Sequence, residues 1–171
     1  LVTEIIIVDN NSSDGSVEFI KSLTSSRVNE LKKKKSNSLI NNSLIKLIKN
    51  KKNLGFAAAV NQGVRVAKNN YVVVMNNDLK VEENWFEIMS GTIKKWQKKE
   101  KIGAYFGTVL NWDGTKIEST GLQYWLKGKA KNRDNNKKIS NFQFPISNFE
   151  FIWGASASMV VYYKPALLEV G

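Results

Sequence analysis

The sequence predicts an α/β fold, a mostly parallel sheet with helices on both faces, and three observations carry that reading. Continuous apolar runs rich in β-branched residues occur at Glu4-Ile5-Ile6-Ile7-Val8-Asp9, at Leu44-Ile45-Lys46-Leu47-Ile48 and at Tyr71-Val72-Val73-Val74-Met75. Runs of this kind read as strands buried on both faces. Stretches with helical spacing lie between them, and strand–helix alternation produces a parallel, helix-covered sheet. The runs also lead into polar residues, and ligands of open α/β sheets bind at the carboxyl ends of strands.

Taken in order, the first run ends in Asp9 and leads into Asn10-Asn11-Ser12-Ser13-Asp14-Gly15-Ser16, a cluster of turn and cap residues. Val17, Ile20 and Leu23 then recur at helical spacing, and Asp14 or Ser16 caps that helix. Residues 24–43 are polar, without periodicity, and read as a surface loop enlarged by insertion. After the second run, Phe56, Val60, Val64 and Ala67 mark one face of a helix. Gly63 within it costs about 1 kcal/mol relative to Ala, so a close neighbour or ligand is expected there.

The run at Tyr71 ends in Asn76-Asn77-Asp78, which alone reads as well as a turn as it does as a site. Val81, Trp85, Ile88, Met89, Ile93 and Trp96 predict an amphipathic helix over 82–99, with lysines at its negative end. Gly103 to Leu110 is a strand candidate, followed by a hairpin turn at Asn111-Trp112-Asp113-Gly114-Thr115. Residues 127–148 read as an irregular, mobile loop. Phe149 to Trp153 and Ser156 to Tyr163 read as strands, with a short helix from Pro165 through Leu168 and Gly171 at its C-cap.

The chain has 171 residues, enough for one domain with a real core. It contains no cysteine and no histidine. Disulfides, thiolate metal sites and a histidine base are therefore excluded, and acid–base or metal chemistry falls to carboxylates, amides and water. The net charge of +11 sits mostly in lysine blocks interleaved with Asn and Ser. Such blocks are solvated faces more often than nucleic-acid sites, and an anionic membrane surface or a nucleotide phosphate answers the same charge. No run of roughly 18 apolar residues marks a transmembrane helix, and no signal-peptide pattern opens the chain. Leu1 stands just ahead of the first strand run, which reads as a fragment.

Asp9 with its loop, Asn53-Leu54-Gly55 and Asn76-Asn77-Asp78 are expected on one rim, and that combination is far more specific than any one of them. Here the sequence resembles the family 2 glycosyltransferases, with their Rossmann-like GT-A nucleotide-sugar fold, and most closely the rhamnosyltransferase-like branch. Val8-Asp9-Asn10-Asn11-Ser12-Ser13-Asp14-Gly15-Ser16 resembles the first nucleotide-binding motif. Asn53-Leu54-Gly55-Phe56-Ala57-Ala58-Ala59-Val60-Asn61-Gln62-Gly63 resembles the second, and Asn76-Asn77-Asp78 a variant of the Asp-x-Asp metal motif. Asp113-Gly114-Thr115, Glu118-Ser119-Thr120-Gly121, and Gly154-Ala155 before Glu169-Val170-Gly171 match later landmarks.

The resemblance implies one partial catalytic domain over 1–171, with 1–100 the nucleotide-binding half and 101–171 the start of the acceptor side. It implies a UDP- or dTDP-sugar donor, a glycan or lipid-linked acceptor in cell-wall or surface polysaccharide synthesis, and transfer with inversion. Asp9 would accept the imide N–H of a uracil or thymine ring, with Asn11, Asn53, Gly55, Asn61, Asn76 and Asn77 also binding substrate. Asp78 would hold Mg²⁺ or Mn²⁺, which suits an oxygen ligand. Asn76 replaces the first Asp of the usual motif and brings no charge. The general base of the family falls beyond residue 171 and its first strand ahead of Glu4, so the chain alone is expected to be inactive. Asp113 and Glu150 match no acidic motif and are not nominated as the base. A cytoplasmic location follows, with peripheral membrane contact through the lysine-rich helix admitted and nucleic acid not expected as a partner. The alternatives are a nucleotide-sugar binding module without catalysis and a basic nucleic-acid-binding domain.

Overall fold

The computed structural model describes residues 4–23, 45–125, 128–141 and 150–170. The chain divides into two compact units, Leu1–Lys68 and Asn69–Gly171.

In the first unit, strands β1 (Ile5–Asp9) and β2 (Ile45–Lys49) pair in parallel, with Ile5 opposite Ile45 and Asp9 opposite Lys49. Parallel neighbours require a crossover, and helix α1 (residues 16–23) lies on it. Helix α2 (Phe56–Val66) packs on β1. A Cβ built on Gly63 would stand 3.5 Å from the Val8 Cγ2 methyl, so β1 is the close neighbour anticipated at that glycine. Val17, Val64 and Ala67 are buried, whereas Phe56, expected on the core face of α2, is exposed at its first turn. Leu23 at the end of α1 is likewise exposed.

In the second unit, β3 (Tyr71–Met75), β4 (Ala104–Phe106) and β9 (Met159–Tyr163) form a three-stranded sheet in the order β3-β9-β4. Strand β9 runs antiparallel to both neighbours. A mostly parallel sheet is therefore not what the described strands form; β1–β2 is parallel, and antiparallel pairing governs the second unit. The reason lies in the connections: among the described residues between Phe106 and Met159 hairpins stand in place of a crossover helix, and parallel neighbours need such a crossover. The central position of β9 also corrects the burial expected of β3. Met159, Val160 and Val161 are buried, while β3, an outer strand of this sheet, is half-buried and ends in an exposed Met75.

Helix α3 (Trp85–Trp96) follows β3 and is shorter than the expected 82–99. Ile88, placed on its apolar stripe by spacing, is 59% exposed. Trp85 instead packs against Gly107, where an added Cβ would meet Trp85 Nε1 at 3.0 Å. That contact falls where the expected strand 103–110 divides into β4 and β5 (Val109–Leu110). Strand β5 turns through Asp113 and Gly114 (φ 72°) into β6 (Ile117–Ser119), the hairpin anticipated from those residues.

Part of the segment read as an irregular loop, residues 128–141, forms regular structure. Strands β7 (Leu122–Trp125) and β8 (Lys129–Asn132) form an antiparallel hairpin, and a 3₁₀ turn follows at Ile139–Asn141. Residues 142–149 lie outside the described residues. Residues 150–153, expected as strand, form none; Gly154 makes an isolated bridge to Leu122. Helix α4 (Lys164–Val170) closes the described chain, and the Gly171 cap lies outside it. Among the described residues, no helix is long and apolar enough to cross a membrane.

Candidate functional site

The end of β1 delivers a carboxylate to a sheltered position. Asp9 is 5% exposed, and its Oδ1 accepts the Ser12 amide at 3.1 Å. Its Oδ2 is buried with no hydrogen-bond partner among the described residues. The Ser12 side chain, together with the Ser12 and Asn11 amides and Lys49, holds the carboxyl below the usual carboxylate range against the opposing effect of burial. Asp9 is thus ionised at neutral pH and purely an acceptor. Native proteins rarely leave such an atom unmatched, so the vacant oxygen marks a place for a donor.

Asn10 ties the surrounding loops together. Its Oδ1 accepts the Leu54 amide at 3.0 Å and the Asn50 side-chain amide at 3.1 Å. Its Nδ2 donates to Asn53 Oδ1 at 2.7 Å and to the Gly55 carbonyl at 3.3 Å. Asn50, buried beyond the end of β2, exchanges two hydrogen bonds with Gln62 of α2, at 2.8 and 3.0 Å. The Asn50 amide also donates to the Asp9 carbonyl at 2.9 Å, so the β1 and β2 ends are locked side by side.

Asn53 Oδ1 accepts the Gly55 amide at 2.8 Å, and the Gly55 carbonyl starts α2 by accepting the Ala59 amide. Gly55 holds φ 85°, a conformation that a side chain would strain. Asn11 is exposed at φ 72°, which asparagine tolerates better than most residues. Asp14, rather than Ser16, supplies the turn before α1: its Oδ1 accepts the Ser16 amide at 3.1 Å and the Ser16 hydroxyl at 2.6 Å.

The first unit therefore brings together Asp9, Asn53 and Gly55 from the sequence-derived set. Asn61 is exposed on α2, and its neighbour Gln62 enters the network instead. Sequence reasoning missed Asn10, Asn50 and Gln62 as positioning groups. A signal was available for two of them: Asn10 and Asn50 each directly follow the last residue of a strand, and parallel in-register strands set those positions side by side.

In the second unit, Asn76 continues the β3–β9 pairing, its amide donating to the Ser158 carbonyl at 2.9 Å. The Asn76 side chain is half-buried, and Asn77 and Asp78 are exposed on the following turn. Ser156 and Ser158 lie at the facing start of β9, with their hydroxyls 3.1 Å apart. No group of three or more acidic, His or Cys side chains that could hold a metal exists among the described residues. The donor set at this strand end, one carboxylate with amide oxygens, fits a hard cation whose remaining ligands come from a bound diphosphate and water. It does not fit a cation held by protein alone.

Two further carboxylates are engaged elsewhere. Asp113 Oδ1 accepts the Thr115 hydroxyl at 2.6 Å and the Thr115 amide at 2.8 Å, and chiefly that hydroxyl holds its pKa below the usual range. Glu150 accepts Arg133 Nη2 at 2.6 Å. Both are occupied in structural roles.

No solved structure matches the chain. It is similar to the glycosyltransferase GlyG of Streptococcus pneumoniae serotype 4 (strain ATCC BAA-334 / TIGR4), at 23% identity over 146 residues, covering 85% of this chain and 44% of that protein. The chain thus spans less than half the length of that relative. A sequence model described as glycosyl transferase family 2 matches residues 1–152, a stretch that holds the Asp9 loop, the Asn10 network and the Asn76–Asp78 strand end. With both motif regions inside that match, the chain belongs to glycosyl transferase family 2.

Proposed function

We propose that the chain forms the donor-binding part of an enzyme that transfers a sugar, with inversion, from a UDP- or dTDP-sugar to a glycan or lipid-linked glycan in cell-wall or surface polysaccharide synthesis. The observation that carries this reading is the buried, ionised Asp9 with an unmatched Oδ2. A pyrimidine imide N–H is a donor of the kind that oxygen lacks, and a hydrogen bond to a charged acceptor is among the stronger ones. Asn10, Asn50, Asn53 and Gln62 would hold the loop around the base, and Gly55 would let the backbone approach the nucleotide.

At the other motif, Asn76 and Asn77 would bind the donor, and Asp78 would hold Mg²⁺ or Mn²⁺ together with its diphosphate. When bound, such a cation neutralises charge on the departing nucleoside diphosphate. The GT-A architecture belongs to the same reading, supported by the parallel β1–β2 pair and by β3 and β4, which run in the same direction on either side of β9. So does a cytoplasmic location, peripheral to the membrane where the acceptor is lipid-linked.

Calorimetric titration with UDP and dTDP, with and without Mn²⁺, tests the proposal. Asp9→Asn, which turns an N–H toward the imide donor, is expected to weaken binding about tenfold or more. Asp78→Ala is expected to abolish the gain from Mn²⁺. Affinity indifferent to both substitutions would sink the reading. One observation favours a second reading, a binding module without catalysis: the lone carboxylate at the β3 end. Metal-independent binding that still needs Asp9 would select it.

A further inference from the structure

The second unit carries a pair of aromatic rings turned outward. Tyr124 of β7 and Trp153 are 57% and 66% exposed, yet their ring centroids are 5.6 Å apart at an interplanar angle of 51°. Their backbones are fixed to one another, because the Leu122 amide donates to the Gly154 carbonyl at 2.7 Å. The pair is therefore a pre-formed surface rather than two stray side chains.

Strand alternation separates this surface from the charge on the same hairpin. Side chains of successive strand residues point to opposite faces. Trp125 lies on the face of Gln123, Lys129 and Lys131, and Lys131 Nζ sits 3.9 Å from its ring centroid. An ammonium group already covers that indole. On the other face, Tyr124 stands opposite Ala130, and Leu122 opposite Asn132. Among the described residues, the Tyr124 face of the paired strands is uncharged.

Its place in the chain matters equally. Trp153 is five residues ahead of Ser158, whose carbonyl accepts the Asn76 amide. A fully extended chain spans at most about 3.6 Å per residue, so Trp153 Cα lies within about 18 Å of Ser158. That is within reach of a short oligosaccharide extending from the Asn76–Asp78 strand end.

We propose that Tyr124 and Trp153 form a stacking platform for a pyranose ring of a neutral acceptor saccharide. The proposal rests on the glycosyl-transfer reading and names the acceptor side of the same site. The face of a pyranose ring is apolar and presents weakly positive C–H groups, which suit the negative face of an aromatic ring. The hydroxyl edge stays in water or meets polar neighbours such as Asn132. An anionic lipid surface would call for aromatic and basic side chains together, which is the composition of the opposite face.

The test uses the 171-residue chain, titrated with cellotriose, maltotriose, chitotriose and methyl α-L-rhamnopyranoside, followed by tryptophan fluorescence and by saturation transfer from protein to sugar protons. At least one saccharide is expected to bind with a Kd of about 1 mM. Trp153→Ala and Tyr124→Ala should each weaken it about tenfold or more, while Trp112→Ala, an exposed tryptophan on the β5–β6 turn, leaves it unchanged. Absence of binding by every saccharide overturns the proposal, as does binding that survives both alanine variants. Attachment to anionic vesicles that requires Tyr124 and Trp153, with no saccharide bound, also overturns it in favour of a lipid contact. A parallel UDP titration separates the two readings: saccharide bound without UDP leaves the platform standing and removes the donor site.

Discussion

Gly63 and Gly121 are both enclosed by neighbours, and they are expected to respond to alanine in opposite ways. At Gly63 a methyl would reach Val8 at 3.5 Å, an ordinary contact, in a helix where glycine costs about 1 kcal/mol. Gly63→Ala should raise the melting temperature by a few degrees. Gly121 holds φ 123°, and a methyl there would meet Ile152 Cδ1 at 2.6 Å and the Gly154 carbonyl at 3.3 Å. Gly121→Ala should lower stability by about 1–3 kcal/mol. Thermal melts of the two variants side by side check both signs. At this scale the sequence was informative where a residue type announces its own conformation: Asp9 at a strand end, Asp113-Gly114 in a turn. It was uninformative for Asn10, Asn50 and Gln62, whose roles arise only once β1, β2 and α2 have been brought together.

The β7–β8 hairpin and the turn after it show why one element escaped sequence reading. Strand β8 is exposed along its length, with Lys129 and Lys131 in alternation, so no apolar periodicity betrays it. It is held by pairing with β7 and by a polar knot beyond its end. Asp134 Oδ2 accepts the Thr120 hydroxyl at 2.6 Å and Arg133 Nε at 3.3 Å, while its Oδ1 accepts Lys137 Nζ at 2.6 Å. Burial pushes the Asp134 carboxyl up, but Lys137, Thr120 and Arg133 outweigh it and the net pKa lies below its usual value of 3.8. A carboxylate lowered on folding stabilises above its unfolded pKa and ceases to do so as pH falls through the folded one. Asp134→Asn, which tolerates the same φ of 59°, should therefore cost about 1–2 kcal/mol at pH 7. Denaturant melts should show that difference shrinking below pH 3.8. A difference that persists unchanged into acid would refute the ionic account.

Across the whole chain, 26 basic side chains face 15 acidic ones, leaving a net charge of +11. Self-repulsion of that size destabilises a folded chain, and salt screens it. Raising NaCl from about 0.05 M to about 0.3 M, which shortens the Debye length, should lift the melting temperature by about 3 °C. A fall on adding salt would show that attractive pairs dominate instead. The parallel β1–β2 pair and the helices after β1 and β3 were legible from alternation, because crossover units repeat a pattern. The antiparallel β9 was not, since its buried Met159-Val160-Val161 looks like any interior strand and only tertiary pairing sets its direction and its central place.

The loops beside Asp9 are braced by Asn10, Asn50, Asn53 and Gln62, four neutral amides, in a chain without histidine. None of those braces gains or loses a proton anywhere in the range a cell experiences. That amide network is thus indifferent to acidity, and the carboxylates of Asp9 and of Asp14, in the turn before α1, carry the sensitivity to protons at this end of the first unit.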